Sequence, residues 1–195
     1  MIQGPNIRFR LLGDDDYEEL FACLRDWPAD AHGPFTLDRA IKTTGAAVRE
    51  NLHVHRPLTE QSDFFCTFVI EDSNGLVGVT KGRIWGQSVW VEWLALLPTA
   101  RGRGLFREIR LAWSALTFEI FQAEKVGFET RTDVAATLDI FDRYTGETSD
   151  EVRKRGLNTD AEKLKWWHTK DNHLADRDEG MKDRDGKRIT FEATQ

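Results

Sequence analysis

Only two cysteines, Cys23 and Cys66, occur in 195 residues, and they lie far apart in apolar surroundings. A disulfide-stapled scaffold is thereby excluded, and two buried free thiols in a reducing compartment are expected. No run of about 20 apolar residues is present, so no membrane-spanning helix is expected. Basic residues are in deficit: 27 Lys and Arg stand against 33 Asp and Glu, a formal net charge of −6. That balance argues against nucleic-acid and membrane partners, which need a basic face, and fits a cationic substrate. Residues 1–6 carry no basic stretch followed by an apolar core, so the location is expected to be cytoplasmic. No Gly-Lys-Ser/Thr triplet occurs, which excludes a phosphate-binding P-loop. No internal repeat is visible.

What is present is 40% apolar and 31% charged residues, enough for one domain over residues 1–195 with a well-solvated surface. Residues 7–11 alternate like a half-buried strand. Asp14, Asp15 and Asp16 supply a cap and first-turn acids for a helix carrying Tyr17, Leu20, Phe21 and Leu24. Residues 27–34 form a loop, since two prolines and a glycine forbid a regular element. Thr36 caps a second helix through Leu37, Ile41, Val48 and Leu52. A meander follows: residues 64–71, a turn at 72–75, residues 76–85, a turn at Gly86-Gln87, and residues 89–96.

A helix after Arg101 places Leu105, Ile109, Ala112, Trp113, Leu116 and Ile120 three or four apart, the spacing of a helix packed on a sheet. Residues 126–130 form the next strand, parallel to 89–96 because a helix crosses between them. Asp133 caps a helix through Ile140, Phe141 and Tyr144, ended by Gly146. Residues 163–169 and 188–193 read as strands, and the charged segment between them, 170–187, reads as mobile. The order predicts an α/β (α+β) fold: a mixed, mostly antiparallel sheet of six to seven strands with helices on both faces.

The densest signal lies at residues 94–106. The apolar strand Leu94-Ala95-Leu96-Leu97 meets Pro98, an Arg101-Gly102-Arg103-Gly104 turn follows, and the helix begins at Leu105-Phe106. Glycines at 102 and 104 permit positive φ and close approach of a ligand. Free amides at a helix start, with Arg101 and Arg103 beside them, form an anion site suited to a diphosphate. Arg107 and Arg110 oppose the helix dipole unless an anion is near. The element order, with Pro98-x-x-Arg101-Gly102-x-Gly104, resembles the GCN5-related N-acetyltransferase superfamily over roughly residues 7–146, sharply over 93–106. Phe106 departs from its pattern, which has Gly or Ala there. The resemblance implies acetyl-CoA as cosubstrate, held by Leu94, Leu96, Leu97, Arg101, Gly102, Arg103, Gly104, Leu105 and Phe106. It also implies a pantetheine arm paired like a strand along 93–97, where that strand splays from the next.

Acetyl transfer to a primary amine, on a small molecule or a peptide, needs a base, an oxyanion donor and an acid. Strict alternation puts Glu92 on the face of Trp90, Leu94 and Leu96, and a carboxylate among tryptophans has a raised pKa suited to a base. The Leu94 N–H is the expected oxyanion donor. The resemblance places a tyrosine in the helix after the fifth strand; its slot holds Ile140 or Phe141, and Tyr144, one turn later, is the candidate acid, with water as the other proton source. Trp27, Phe35 and Trp85 are candidate walls of the acceptor pocket. His53-x-His55 lacks a third metal ligand, and Asp183-x-Asp185-Gly186 lacks the glutamate of a calcium loop. A monomer or homodimer is expected. The alternative to an enzyme is a non-catalytic member of the same fold that binds CoA or serves an assembly.

Overall fold

The chain's strands follow from alternating β-branched and aromatic residues closed by glycine turns. The computed structural model describes residues 2–16, 18, 57–131, 163–178 and 188–193. Among them are β1 (Ile2–Gln3), β2 (Arg8–Leu11), β3 (Asp63–Asp72), β4 (Gly75–Trp85), β5 (Ser88–Leu96), helix α1 (Leu105–Ala115), β6 (Lys125–Arg131), β7 (Lys163–Thr169), helix α2 (Lys170–Asp178) and β8 (Glu192–Ala193). The helix α1 runs on through a π-helical stretch, Leu116–Ile120. One sheet holds all the described strands in the order β7-β6-β5-β4-β3-β2-β1-β8. Every described pairing is antiparallel except β5 with β6.

The sheet therefore has eight described strands rather than the six to seven expected. The extra strand is Ile2–Gln3, too short to show a period, which forms because it pairs β2 on one side and β8 on the other. At the C-terminal end the strand narrows to Glu192–Ala193. The expected parallel crossing is borne out: Ser88–Val91 of β5 lies in parallel register with Lys125–Phe128 of β6.

Helix α1 buries the predicted stripe. Ile109, Ala112, Trp113 and Leu116 are at most 2% exposed and join Phe9, Phe68, Ile84, Val89 and Val126 in the main core. Trp113 is the anchor. Its ring meets Phe68 edge-on at 5.4 Å and Phe9 at 6.2 Å, and its Nε1–H donates to Thr80 Oγ1 over 3.0 Å. Gly82 makes the close approach possible, because a Cβ there would lie 2.5 Å from the Trp113 ring. Glu108 is 3% exposed and accepts hydrogen bonds from the Asn6 N–H, the Asn6 side-chain amide and the Ile7 N–H, so the helix also holds the β1–β2 turn.

Residues 170–178 of the segment expected to be mobile are helical instead. Thr169 and Asn172 cap α2 reciprocally: the Thr169 N–H and hydroxyl donate to Asn172 Oδ1 at 3.0 and 2.7 Å, and the Asn172 N–H donates to Thr169 Oγ1. His173 then docks the helix, buried against Phe118 with Nε2 3.0 Å from Glu119 Oε1. Asp14–Asp16 forms a 3₁₀ turn, in which Asp16 takes the Arg10 guanidinium at 2.7 and 2.8 Å. Cys66 is a buried thiol in no disulfide, with its Sγ 3.7 Å from Gly82 O, while Cys23 lies outside the described residues.

Gly82→Ala tests the Trp113 contact. Overpacking should destabilise the protein by about 1–3 kcal/mol. The expected result in urea denaturation is a lower midpoint at an unchanged slope.

Candidate active site

The site is built where β5 stops being a regular strand. Gly82 pairs Val91, but Lys81 pairs Trp93, so Glu92 is an extra residue, a β-bulge. A bulge reverses which face each later residue serves. Before it, Val89 and Val91 face α1; after it, Leu94 and Leu96 pack on that same core. Glu92 is thus not on the face of Leu94 and Leu96, as strict alternation required. It shares the opposite face with Trp90 and Arg83, is exposed, and acts on Arg83 electrostatically. The sequence signal for this was the parity switch itself: aliphatic residues at 89 and 91, then at 94 and 96.

Pairing of β5 with β6 ends at Val91–Phe128, while β5 runs on to Leu96 and β6 to Arg131. The strands splay from the bulge onward. The Leu97 N–H donates to Val77 O over 2.9 Å, toward β4. Alternation along the strand then turns the N–H groups of Leu94 and Leu96 the other way, into the opening. Among the described residues no strand pairs this edge, which is of the kind that an extended chain can join.

The turn beyond it presents a second set of amides. Pro98–Ala100 is a 3₁₀ turn, and residues 101–104 are exposed. Gly102 has φ 71° and Gly104 φ 80°, both left-handed. Gly104 occupies the N-cap of α1 and offers no side chain to the first-turn amides. Leu105, 7% exposed, fixes the helix start in the core, and Phe106 is half-buried outside the main core cluster.

The arginines are less free than their position in sequence suggested. Arg101 Nε donates to Leu96 O over 3.1 Å, which locks the turn against the end of β5. Arg103 is ion-paired to Asp72, Nη2 to Oδ2 at 2.6 Å, across to the β3–β4 hairpin. Burial works to raise the Asp72 carboxyl, but hydrogen bonds from Arg103 and from the Asn74 N–H outweigh it and hold the group below its ordinary value. Arg110, 1% exposed, is a core residue and not part of a surface anion site.

Tyr144, Trp27, Phe35 and the pair His53 and His55 lie outside the described residues. Trp85 stands at the end of β4, 71% exposed. No group of three metal-ligating side chains occurs among the described residues, and none of the described helices is long and apolar enough to cross a membrane.

No family model matches the chain, and no curated protein matches it in sequence. Solved structures do. FdhC, a nucleotide-linked sugar GNAT in its apo form, superposes with a TM-score of 0.63 at 13% identity, over 91% of this chain and 94% of that one. The spermidine N-acetyltransferase of Vibrio cholerae, in complex with CoA and spermine, gives 0.58 at 13% identity, over 87% of this chain and 98% of that one. The fold is that of the GCN5-related N-acetyltransferases.

Asp72→Asn isolates the link between the turn and the hairpin. The folded-state pKa is lowered, so the carboxylate's contribution is complete above the ordinary value near 4 and is lost as pH falls through the lowered one. The variant should cost about 1 kcal/mol at pH 7. In pH-dependent denaturation the deficit should shrink as pH falls through the lowered carboxyl pKa and be gone once the group is protonated in both states.

Proposed function

We propose that the protein is an acetyl-CoA-dependent N-acetyltransferase acting on a primary amine by direct attack. The observation that carries this reading is the coincidence of two donor sets. The open edge of β5, at Leu94 and Leu96, ends beside the uncapped start of α1 at Gly102 and Gly104. A ligand with an extended amide-bearing arm and a diphosphate matches both at once. The CoA bound to the Vibrio cholerae neighbour supports the same choice.

In this reading the amides at residues 102–106 and the Arg101 side chain take the diphosphate, and the β5 edge takes the pantetheine amides. Micromolar affinity needs about −8 kcal/mol. A helix terminus supplies about 0.3–1, up to ~2, so the strand edge and burial of the arm must provide most of it. When bound, acetyl-CoA supplies an activated acyl thioester, and the reaction exchanges its C–S bond for a C–N bond. Glu92, exposed on the bulge, takes a proton from the attacking amine. The Leu94 N–H faces the opening and stabilises negative charge on the acyl oxygen; such donors are worth about 3–4 kcal/mol. Tyr144 is the proposed acid that returns a proton to the thiolate, with water as the other source.

A second reading keeps the cosubstrate site without transfer. The exposure of Glu92 favours it, because solvent contact weakens the case for a tuned base. Turnover separates the two.

CoA at a hundredfold over its Kd should stabilise the fold by about 2.7 kcal/mol in a thermal-shift assay. Gly104→Glu should abolish that shift, since it sets a carboxylate at the phosphate position and strains a left-handed residue. A normal CoA response in Gly104→Glu places the diphosphate elsewhere. Glu92→Gln should lower kcat by about 10²–10⁴-fold while CoA binding holds. An unchanged pH–rate profile in that variant removes Glu92 as the base.

A further inference from the structure

A second bulge lies beside the site, in β4. Ile70 pairs Gly78 but Glu71 pairs Leu76, so Val77 is an extra residue near the start of that strand. A bulge bends the strand that carries it. Val77 is buried in the main core, and its carbonyl oxygen is the acceptor for the Leu97 N–H. Gly78 then lets β4 pass close to β5, since a Cβ there would lie 2.4 Å from Ala95 O. The end of the β3–β4 hairpin is thereby held against the link that leads from β5 to α1.

Asp72, the last residue of β3, makes the other contact to that link. Both of its carboxylate oxygens are engaged. Oδ1 accepts the Asn74 N–H at 2.7 Å, which shapes the hairpin turn, and Oδ2 accepts Arg103 Nη2 at 2.6 Å. The Asp72 side chain is 4% exposed and that of Arg103 42%, so a nearly buried carboxylate draws an exposed guanidinium onto the hairpin. Loss of the cation would leave that carboxylate unpaired, which makes this tie firmer than one between two exposed side chains. Arg103 stands between Gly102 and Gly104, both left-handed. Glycines give a turn many conformations. The side chain between these two is fixed at its far end, on a neighbouring element.

We propose that Asp72 is a positioning residue for the cosubstrate: through Arg103 it holds residues 102–104 in the shape that presents their amides to a diphosphate. This rests on the reading of the turn as the diphosphate site of CoA. It gives Arg103 a different part from the one its place in the motif implies. The guanidinium charge is matched by Asp72, so the pair brings no net charge to an incoming anion. Arg103 acts instead through the backbone that it fixes. A turn already ordered loses less entropy when the ligand arrives, and affinity rises by that saving. The β3–β4 hairpin thus takes part in cosubstrate recognition without touching the ligand.

Calorimetric titration of the full chain with CoA tests this. Replacing the pair together, Asp72→Asn with Arg103→Gln, cuts the tie but leaves the net charge as it was. That double variant should raise the Kd for CoA about tenfold, with the KM for acetyl-CoA rising in step and kcat within about twofold. Asp72→Asn alone should raise the Kd about threefold, because the tie is lost while a screened positive charge is released. Arg103→Lys, which still offers Asp72 a cation, should stay within about twofold of the parent. Far-UV circular dichroism at the titration temperature certifies each fold, and if the double variant fails to fold, Asp72→Asn alone decides. A parent-like Kd in the double variant overturns the proposal. So does tighter binding in Asp72→Asn, which would make Arg103 a phosphate ligand held back by its partner. If the parent binds no CoA, the acetyltransferase reading falls, and inorganic pyrophosphate is titrated instead. Pyrophosphate binding that weakens about tenfold in the double variant upholds the proposal; equal binding, or none to the parent, overturns it. If CoA binds the parent and every variant alike, the proposal fails alone.

Discussion

A single extra residue in β5 sets the terms for everything around the site. β5 pairs β4 along nearly its whole length but pairs β6 only as far as Val91. Glu92 is inserted at that point. The insertion rotates the rest of the strand so that Leu94 and Leu96 reach the core that α1 covers. Had the strand stayed in phase, those leucines would have turned to the other face and the end of β5 would have lost its anchorage. The same insertion bends the strand as bulges do, and it coincides with the parting of β5 from β6. One defect thus yields a buried strand end, an open backbone edge and an outward carboxylate.

The second constraint is the attachment of α1. Trp113 sinks into the space left by Gly82 and is tied to Thr80, so the helix cannot slide along the sheet without breaking a buried hydrogen bond. Glu108 ties the same helix to the first turn of the chain. With α1 fixed, the short link from Leu97 to Gly104 must bring its start back to the end of β5, which left-handed glycines at 102 and 104 allow. The Arg101 bond to Leu96 O and the Arg103 pair with Asp72 then hold the link from two sides. The amides at the helix start are therefore rigidly placed before any ligand arrives, which lowers the ordering cost of binding.

What sequence could and could not convey follows from range. The stripe on α1, the parallel crossing from β5 to β6 and the glycine turn each depend on spacing within a few residues, and each is found. The Ile2–Gln3 strand depends on two neighbours, one nearly 190 residues away at Glu192–Ala193, so no local pattern announces it. The charged stretch after Thr169 is polar enough to pass for a loop, yet a reciprocal Thr169–Asn172 cap and one buried histidine order its first nine residues. Arg103 looked available beside the turn because its partner, Asp72, is 31 positions earlier. The face of Glu92 departs from strict alternation for another reason: alternation holds only while a strand remains regular, and the bulge at Glu92 ends that regularity. Tyr144 and the aromatic loop residues Trp27 and Phe35 keep their proposed roles without a structural reading.

Charge supplies the last step. A formal −6 spread over the whole chain is a statement about the far field. At physiological ionic strength that field decays over about 8 Å, less than the span of two strands. A small acceptor near Glu92 therefore responds to the few groups within reach rather than to the sum. Among the described residues those groups include the Lys81 ammonium over Phe65, the Arg83 guanidinium paired with Asp63, and the indoles of Trp90 and Trp167. Lys81 holds its ammonium 3.8 Å from the Phe65 ring centroid, a cation–π contact. The net charge of the chain therefore does not by itself set the charge that a small molecule meets beside Glu92.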